Sequence, residues 1–262
     1  MKQLWLAAFW ATSVLAQQQE RAIVPQFADG GGWKSRLVLV NRSLNLTAIT
    51  TLNFYGQNGQ PLAFSIAGAG IVTTLERSIP AGGSLVLETT GAQPTVQAGW
   101  IEIRSGGEAV EGGYDPVSNS IVAPKPATSP VLAFVSFRQR VADRPDFEAS
   151  VAGFPAETRA AAFALDNMEN YVTSIAVVNT QPTPADITVT FRSPSGSIFH
   201  REVINLAGRG HAFFETTSRF QASRNLRGTV EFTTATTRLA ALCLWFNPTG
   251  PFSSVPSVTL SQ

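Results

Sequence analysis

Residues 37–41 read LVLVN, and residues 175–179, 138 positions later, read IAVVN. A short, nearly continuous apolar run closed by asparagine fits a buried strand that ends in a turn. Such a run needs cover on both faces, and asparagine tolerates the backbone of the turn that follows. The phrase decides the fold because its surroundings are also written twice. Trp33 and Tyr171 keep the same 138-residue spacing. TAITTLNFYGQNGQPLAF follows the first phrase and ADITVTFRSPSGSIF follows the second. IPAGGSLVLET (79–89) is answered by LAGRGHAFFET (206–216), and GWIEI (99–103) by GTVEF (228–232). VLAFVSFRQ (131–139) is answered loosely by LAALCLWFN (239–247), and FEASV from Phe147 by FSSV from Phe252. The matches keep one order along the chain, which predicts an internal duplication.

The repeated pieces read as strands. In DITVTFR, Ile187, Val189 and Phe191 alternate with Thr188, Thr190 and Arg192, a period of two. QNGQ and SPSG between strand runs read as hairpin turns. Short strands separated by turn signals predict an all-β chain of two tandem immunoglobulin-like antiparallel β-sandwich domains, residues 22–156 and 157–262. The spacing between copies shrinks along the chain, so the first copy carries extra residues. One group lies between Gly59 and Ile79. A Gly-, Pro- and Ser-rich group at about 105–130 reads as a long loop. PAETRAAAFAL (155–165) reads as the junction followed by the first strand of copy two.

Composition agrees with this class. Hydrophobic residues make up 44% and charged residues 14%, well below the roughly 25% charge of an average soluble chain. That suits half-buried strands with neutral polar outer faces and excludes the charge-rich composition of disorder. Nineteen basic residues against 18 acidic ones leave +1. No field that would steer nucleic acid follows from this balance, and the arginines form no basic run. Residues 1–16, MKQLWLAAFWATSVLA, follow the plan of a secretory signal peptide cut after Ala16. Their apolar run is shorter than the roughly 20 residues of a membrane span. The expected location is therefore secreted, extracellular or periplasmic, with no membrane span in the mature chain. Cys243 is the single cysteine, so an internal disulfide is impossible and each half must rely on its core. Cys243 itself, in an apolar run, reads as a small buried hydrophobe.

Chemistry is sparse in the sequence. His200 and His211 show no metal-ligand spacing, and no cofactor or metal is expected. His211 corresponds to Ser84 of the first copy and reads as a solvated strand histidine. No GxSxG elbow or phosphate-binding loop is present. Asp146 and Glu148 could form an acid–base pair for glycoside hydrolysis. The competing reading pairs them with their neighbours Arg138, Arg140 and Arg144. Trp100 alternates with the inward Ile101 and Ile103, so it points outward, and its counterpart is Thr229. An outward tryptophan that the repeat does not require is a candidate ligand contact. Tyr114 and Asp115 in the insert are the others.

PQFADGGGW, LVLVN, IPAGGSLVLET, GWIEI and the FRQR and FEASV phrases resemble a group of uncharacterised exported bacterial proteins built of tandem immunoglobulin-like sandwiches. The resemblance covers nearly the whole mature chain. It implies export and the fold and carries no functional residues. The expected function is a non-enzymatic secreted or cell-surface protein with a binding, adhesive or structural role toward an extracellular protein or polysaccharide surface. The alternative is a carbohydrate-binding module that uses Trp100 and the insert.

Overall fold

The computed structural model describes residues 20–107, 113–115, 120–122, 131–153 and 158–258. The first half runs β1 (Glu20–Asp29), β2 (Trp33–Asn41), β3 (Ala48–Tyr55), β4 (Phe64–Ile66), β5 (Gly70–Val72), β6 (Thr74–Ile79), β7 (Ser84–Glu88), β8 (Gln97–Gly107), β9 (Gly113–Asp115), β10 (Ser120–Val122), β11 (Val131–Gln139) and β12 (Phe147–Ala152). The second runs β13 (Ala160–Asp166), β14 (Val172–Asn179), β15 (Ala185–Arg192), β16 (Ile198–Leu206), β17 (His211–Glu215), the short helix α1 (Thr216–Arg219), β18 (Arg227–Thr233), β19 (Leu239–Phe246) and β20 (Phe252–Val255). The architecture is nearly all β. The signal-peptide reading of residues 1–16 lies outside the described residues.

Each half stacks two antiparallel four-stranded sheets. In the first half the orders are β1-β8-β3-β6 and β12-β11-β2-β7. In the second they are β13-β18-β15-β16 and, read from the matching edge, β20-β19-β14-β17. The two pairs of orders correspond strand for strand. The alternation seen in the sequence is realised: Ile187, Val189 and Phe191 are fully buried, together with Val230 and Phe232 of β18. They pack against Ile175, Val177 and Cys243 of the facing sheet. In the first half Leu52, Phe54 and Ile101 meet Leu37, Leu39 and Val135 in the same way.

Two details recur in both halves. Gly99 and Gly228 lie near the starts of β8 and β18 beside a neighbouring backbone. A Cβ would lie 2.2 Å from the Tyr55 carbonyl oxygen at the first and 1.8 Å from that of Arg192 at the second, so any side chain would push the strands apart. Asn41 and Asn179, at 1% and 0% exposure, each tie their strand end to the loops around it. The Asn41 amide donates to the carbonyls of Leu46, Ile79 and Pro80, and its oxygen accepts from the Ser43 N–H. The Asn179 amide donates to Thr183 and Ala207, and its oxygen accepts from the Gln181 N–H and the Thr237 hydroxyl. Asparagine at these positions is a buried clamp as well as a turn former. The burial also closes Asn41 to glycosylation in the folded chain, although its sequence forms an acceptor site.

The insert reading needs correction. Ser105, Gly106 and Gly107 belong to β8, and β9 pairs with β10 as a hairpin, so strand continues into the segment read as a loop. The extra residues after Gly59 likewise form the β4–β5 hairpin. Gly- and Ser-rich composition hides strands this short because backbone pairing needs no apolar side chain.

Candidate functional site: the cleft between the halves

The opening phrase has a different fate in each half. In β2 only alternate side chains are fully buried, whereas Thr173–Asn179 of β14 are buried throughout. The second cover on β14 is the first half of the chain. The outer face of β1 and β8 presents Ile23 and Trp100, which close over Val178 of β14 and Ala240 of β19. Trp33 extends this contact, with ring centroids 5.3 Å from Phe252 and 6.4 Å from Phe246.

Polar bonds lock the contact. The Trp100 indole N–H donates to the Arg209 carbonyl at 2.9 Å. The His211 backbone N–H donates to the Gln57 carbonyl at 3.0 Å. The Arg21 guanidinium donates to the Thr180 carbonyl at 2.7 Å. The turn after β3 approaches so closely that a Cβ on Gly59 would lie 1.9 Å from the Gly208 carbonyl oxygen. Tyr55 stacks on Trp100 with centroids 4.8 Å apart, and the Arg209 guanidinium lies over the Tyr55 ring.

Beside this seam is a cleft of about 260 Å³ lined by Arg21, Glu102, Arg104, Thr180, Gln181 and Arg209. Strand alternation builds it: Trp100, Glu102 and Arg104 point away from their own core, and register sets Ile23 opposite Glu102 and Arg21 opposite Arg104. The Glu102 side chain is only 1% exposed and pairs with Arg21 at 2.6 Å and with Arg104 at 3.2 Å. Arg209 completes the lining, so among the described residues three guanidinium groups and one carboxylate meet in the cleft. Guanidinium groups gathered in this way suit an incoming anionic group.

Trp100 points outward from its own sandwich, as its alternation predicts, but the second half covers it to 0% exposure. It therefore offers no free ring face, and the carbohydrate-module reading loses the aromatic platform it required. The backbones of Tyr114 and Asp115 lie in β9; their side chains lie outside the described residues. Glu148 accepts from the Ser136 hydroxyl and pairs with Arg138 at 3.6 Å. The Ser136 bond, with the arginines behind it, holds its carboxyl below the ordinary carboxylate range. A general acid requires the opposite shift. Asp146 precedes β12 and does not share its strand geometry with Glu148. Among the described residues, no group of three or more His, Cys, Asp or Glu is placed to hold a metal ion. Cys243 is fully buried, and burial raises its thiol far above the ordinary value.

His211 corrects the reading of a solvated histidine. It is 3% exposed, and neither ring nitrogen has a hydrogen-bond partner. The correspondence with exposed Ser84 holds for position and fails for environment, because only β17 lies against the other half of the chain. Burial pushes the imidazole down from the ordinary 6.5 to about 4. The unfolded chain therefore takes up a proton at a pH where the folded chain refuses it. The contribution of His211 to stability is constant above pH 6.5, falls between there and about pH 4, and levels off below that. The loss is on the order of 3 kcal/mol. Urea midpoints measured across this range should show the slope, and His211→Gln should flatten it.

No protein-family model, curated protein or solved structure matches the chain.

Proposed function

We propose that the protein is a non-enzymatic secreted or cell-surface binding protein, and that its inter-half cleft receives an anionic group of an extracellular protein or polysaccharide. The observation that carries this reading is a cleft, fixed by bonds from both halves, where Arg104 and Arg209 join the Arg21–Glu102 pair among the described residues. A cleft already held in shape loses little ordering entropy on binding. Among the described residues no helix is long and apolar enough to cross a membrane, and the signal-like residues 1–16 supply the reason to expect export.

In the same reading the chain is a tandem duplication of one immunoglobulin-like domain, residues 22–156 and 157–262. The matching sheet orders and the paired asparagine clamps support it. The neighbours β2–β7 and β3–β8 stand as strands B–E and C–F do in an immunoglobulin domain. The flanking strands exchange places: β1 lies beside β8, where strand G would stand, and β11 beside β2, where strand A would stand.

The test is binding of the mature protein to a panel of acidic and neutral polysaccharides and acidic extracellular proteins. Acidic ligands should bind, bind less as salt rises, and lose at least about tenfold in affinity with Arg104→Glu or Arg209→Glu. Absence of binding across the panel, or binding indifferent to salt and to both substitutions, contradicts the proposal.

A further inference from the structure

The corresponding sheets of the two halves have unequal surroundings. On the outer face of β14 and β19, Ala176, Val178, Ala240 and Leu242 are all at most 2% exposed. Ala176 pairs with Leu242, and Val178 with Ala240. Val38 and Phe134, with Val40 and Leu132, occupy the same register on β2 and β11. There Phe134 is 37% exposed, and Val38, Val40 and Leu132 are only half-buried. Val86 of β7, beside Val38, is 54% exposed. One face is therefore covered by the other half, while its counterpart, among the described residues, leaves a contiguous apolar strip partly exposed. Isolated exposed apolar residues need no explanation, but a contiguous strip on a sheet does.

We infer that this outer face of β2, β7 and β11 binds the same face of a second copy of the chain. The inference rests on the positional correspondence of the halves and goes beyond the anion-binding role. The alternative contact between copies would be head-to-tail, with the strip seated on the second half's version of the receiving face. That version is missing its apolar residues. By register, Ile23, Trp100 and Tyr55 are replaced there by Ala162, Thr229 and Arg192. Val258 also bonds to Ala162 at the β13 edge. A two-fold contact needs no second kind of surface, because the strip meets itself.

Charge and area fit a two-fold contact. Next to the strip lie Arg36 paired with Glu88 and Arg138 paired with Glu148, so the face carries both signs and does not repel its copy. β2 and β11 have nine residues each, and β7 and the adjoining β12 have five and six; at about 3.3 Å per residue and 4.8 Å per strand they present about 460 Å² per copy. Two such faces bury about 900 Å², the size of weak, transient contacts. The expected dimer is reversible, with a dissociation constant of about 10–100 μM.

Sedimentation velocity on the mature chain, from about 1 to about 300 μM, tests this. The expected result is a monomer–dimer equilibrium that Phe134→Glu weakens at least about tenfold with an unchanged melting temperature. Val86→Glu, at a more exposed position on the same strip, should do the same. Val203→Glu, at an exposed apolar position on β16, should leave the dimer intact. A monomer at the highest concentration, a dimer indifferent to both strip substitutions, or oligomers that keep growing with concentration would overturn the inference. A monomer would leave the anion-binding reading standing, since Arg104→Glu and ligand capture judge that separately.

Discussion

Replacing Trp100 with alanine should cost about 3–5 kcal/mol, the range for removing a large buried aromatic side chain, and should loosen the contact between the two halves. The indole fills the seam between Ile23, Val178 and Ala240, stacks on Tyr55, and satisfies the Arg209 carbonyl. Without it a buried acceptor loses its donor, and the contact rests on Ala176, Leu242, Leu244 and Phe252, which share a core cluster with Leu37, Leu39 and Val135 of the first half, and on Trp33. The halves should therefore stay together. The expected result in a urea titration is a single cooperative transition with a lowered midpoint. A single transition at an unchanged midpoint would mean that the seam contributes little.

The second large effect should come from Asn179→Ala, expected to cost about 3 kcal/mol. The substitution strands the Thr183 and Ala207 carbonyls and removes the acceptor for the Gln181 N–H and the Thr237 hydroxyl. Each buried group left without a partner costs about 1–3 kcal/mol, discounted because water reaches some of them. Asn179→Asp keeps the oxygen that accepts from the Gln181 N–H and the Thr237 hydroxyl and loses both amide N–H donors. If the amide donors carry the clamp, denaturation midpoints should place the aspartate variant near the alanine variant. Asn41→Ala should reproduce the effect in the first half, since Asn41 makes the corresponding bonds.

Much of each sandwich was legible in the sequence because strand alternation is local. Ile187, Val189 and Phe191 declare their face within one short run. The repeat then assigns the same strand order to the earlier segment. Trp100 was also legible as an outward residue, from Ile101 and Ile103 beside it. What covers it was not, because Arg209 lies 109 residues away and no period links the two. His211 illustrates the same limit from the other side. Its repeat partner Ser84 is exposed, and equivalence within a fold says nothing about which face a neighbouring half will cover. The arginine cleft was missed for a related reason. Arg21, Arg104 and Arg209 are scattered singly in the sequence, and only strand register and the contact between halves gather them around Glu102. The single available signal was Glu102 itself, a charge set between two inward isoleucines next to a tryptophan.

The central claim is that the two halves form one locked body through the Trp100 seam, and hydrogen exchange of the Trp100 indole tests it most directly. The indole is fully buried and bonded to a carbonyl of the other half. It should therefore exchange no faster than the separation or global unfolding of the halves allows, well behind the partly exposed Trp245 indole. Exchange of the Trp100 indole as fast as that of a solvent-exposed tryptophan would contradict the account.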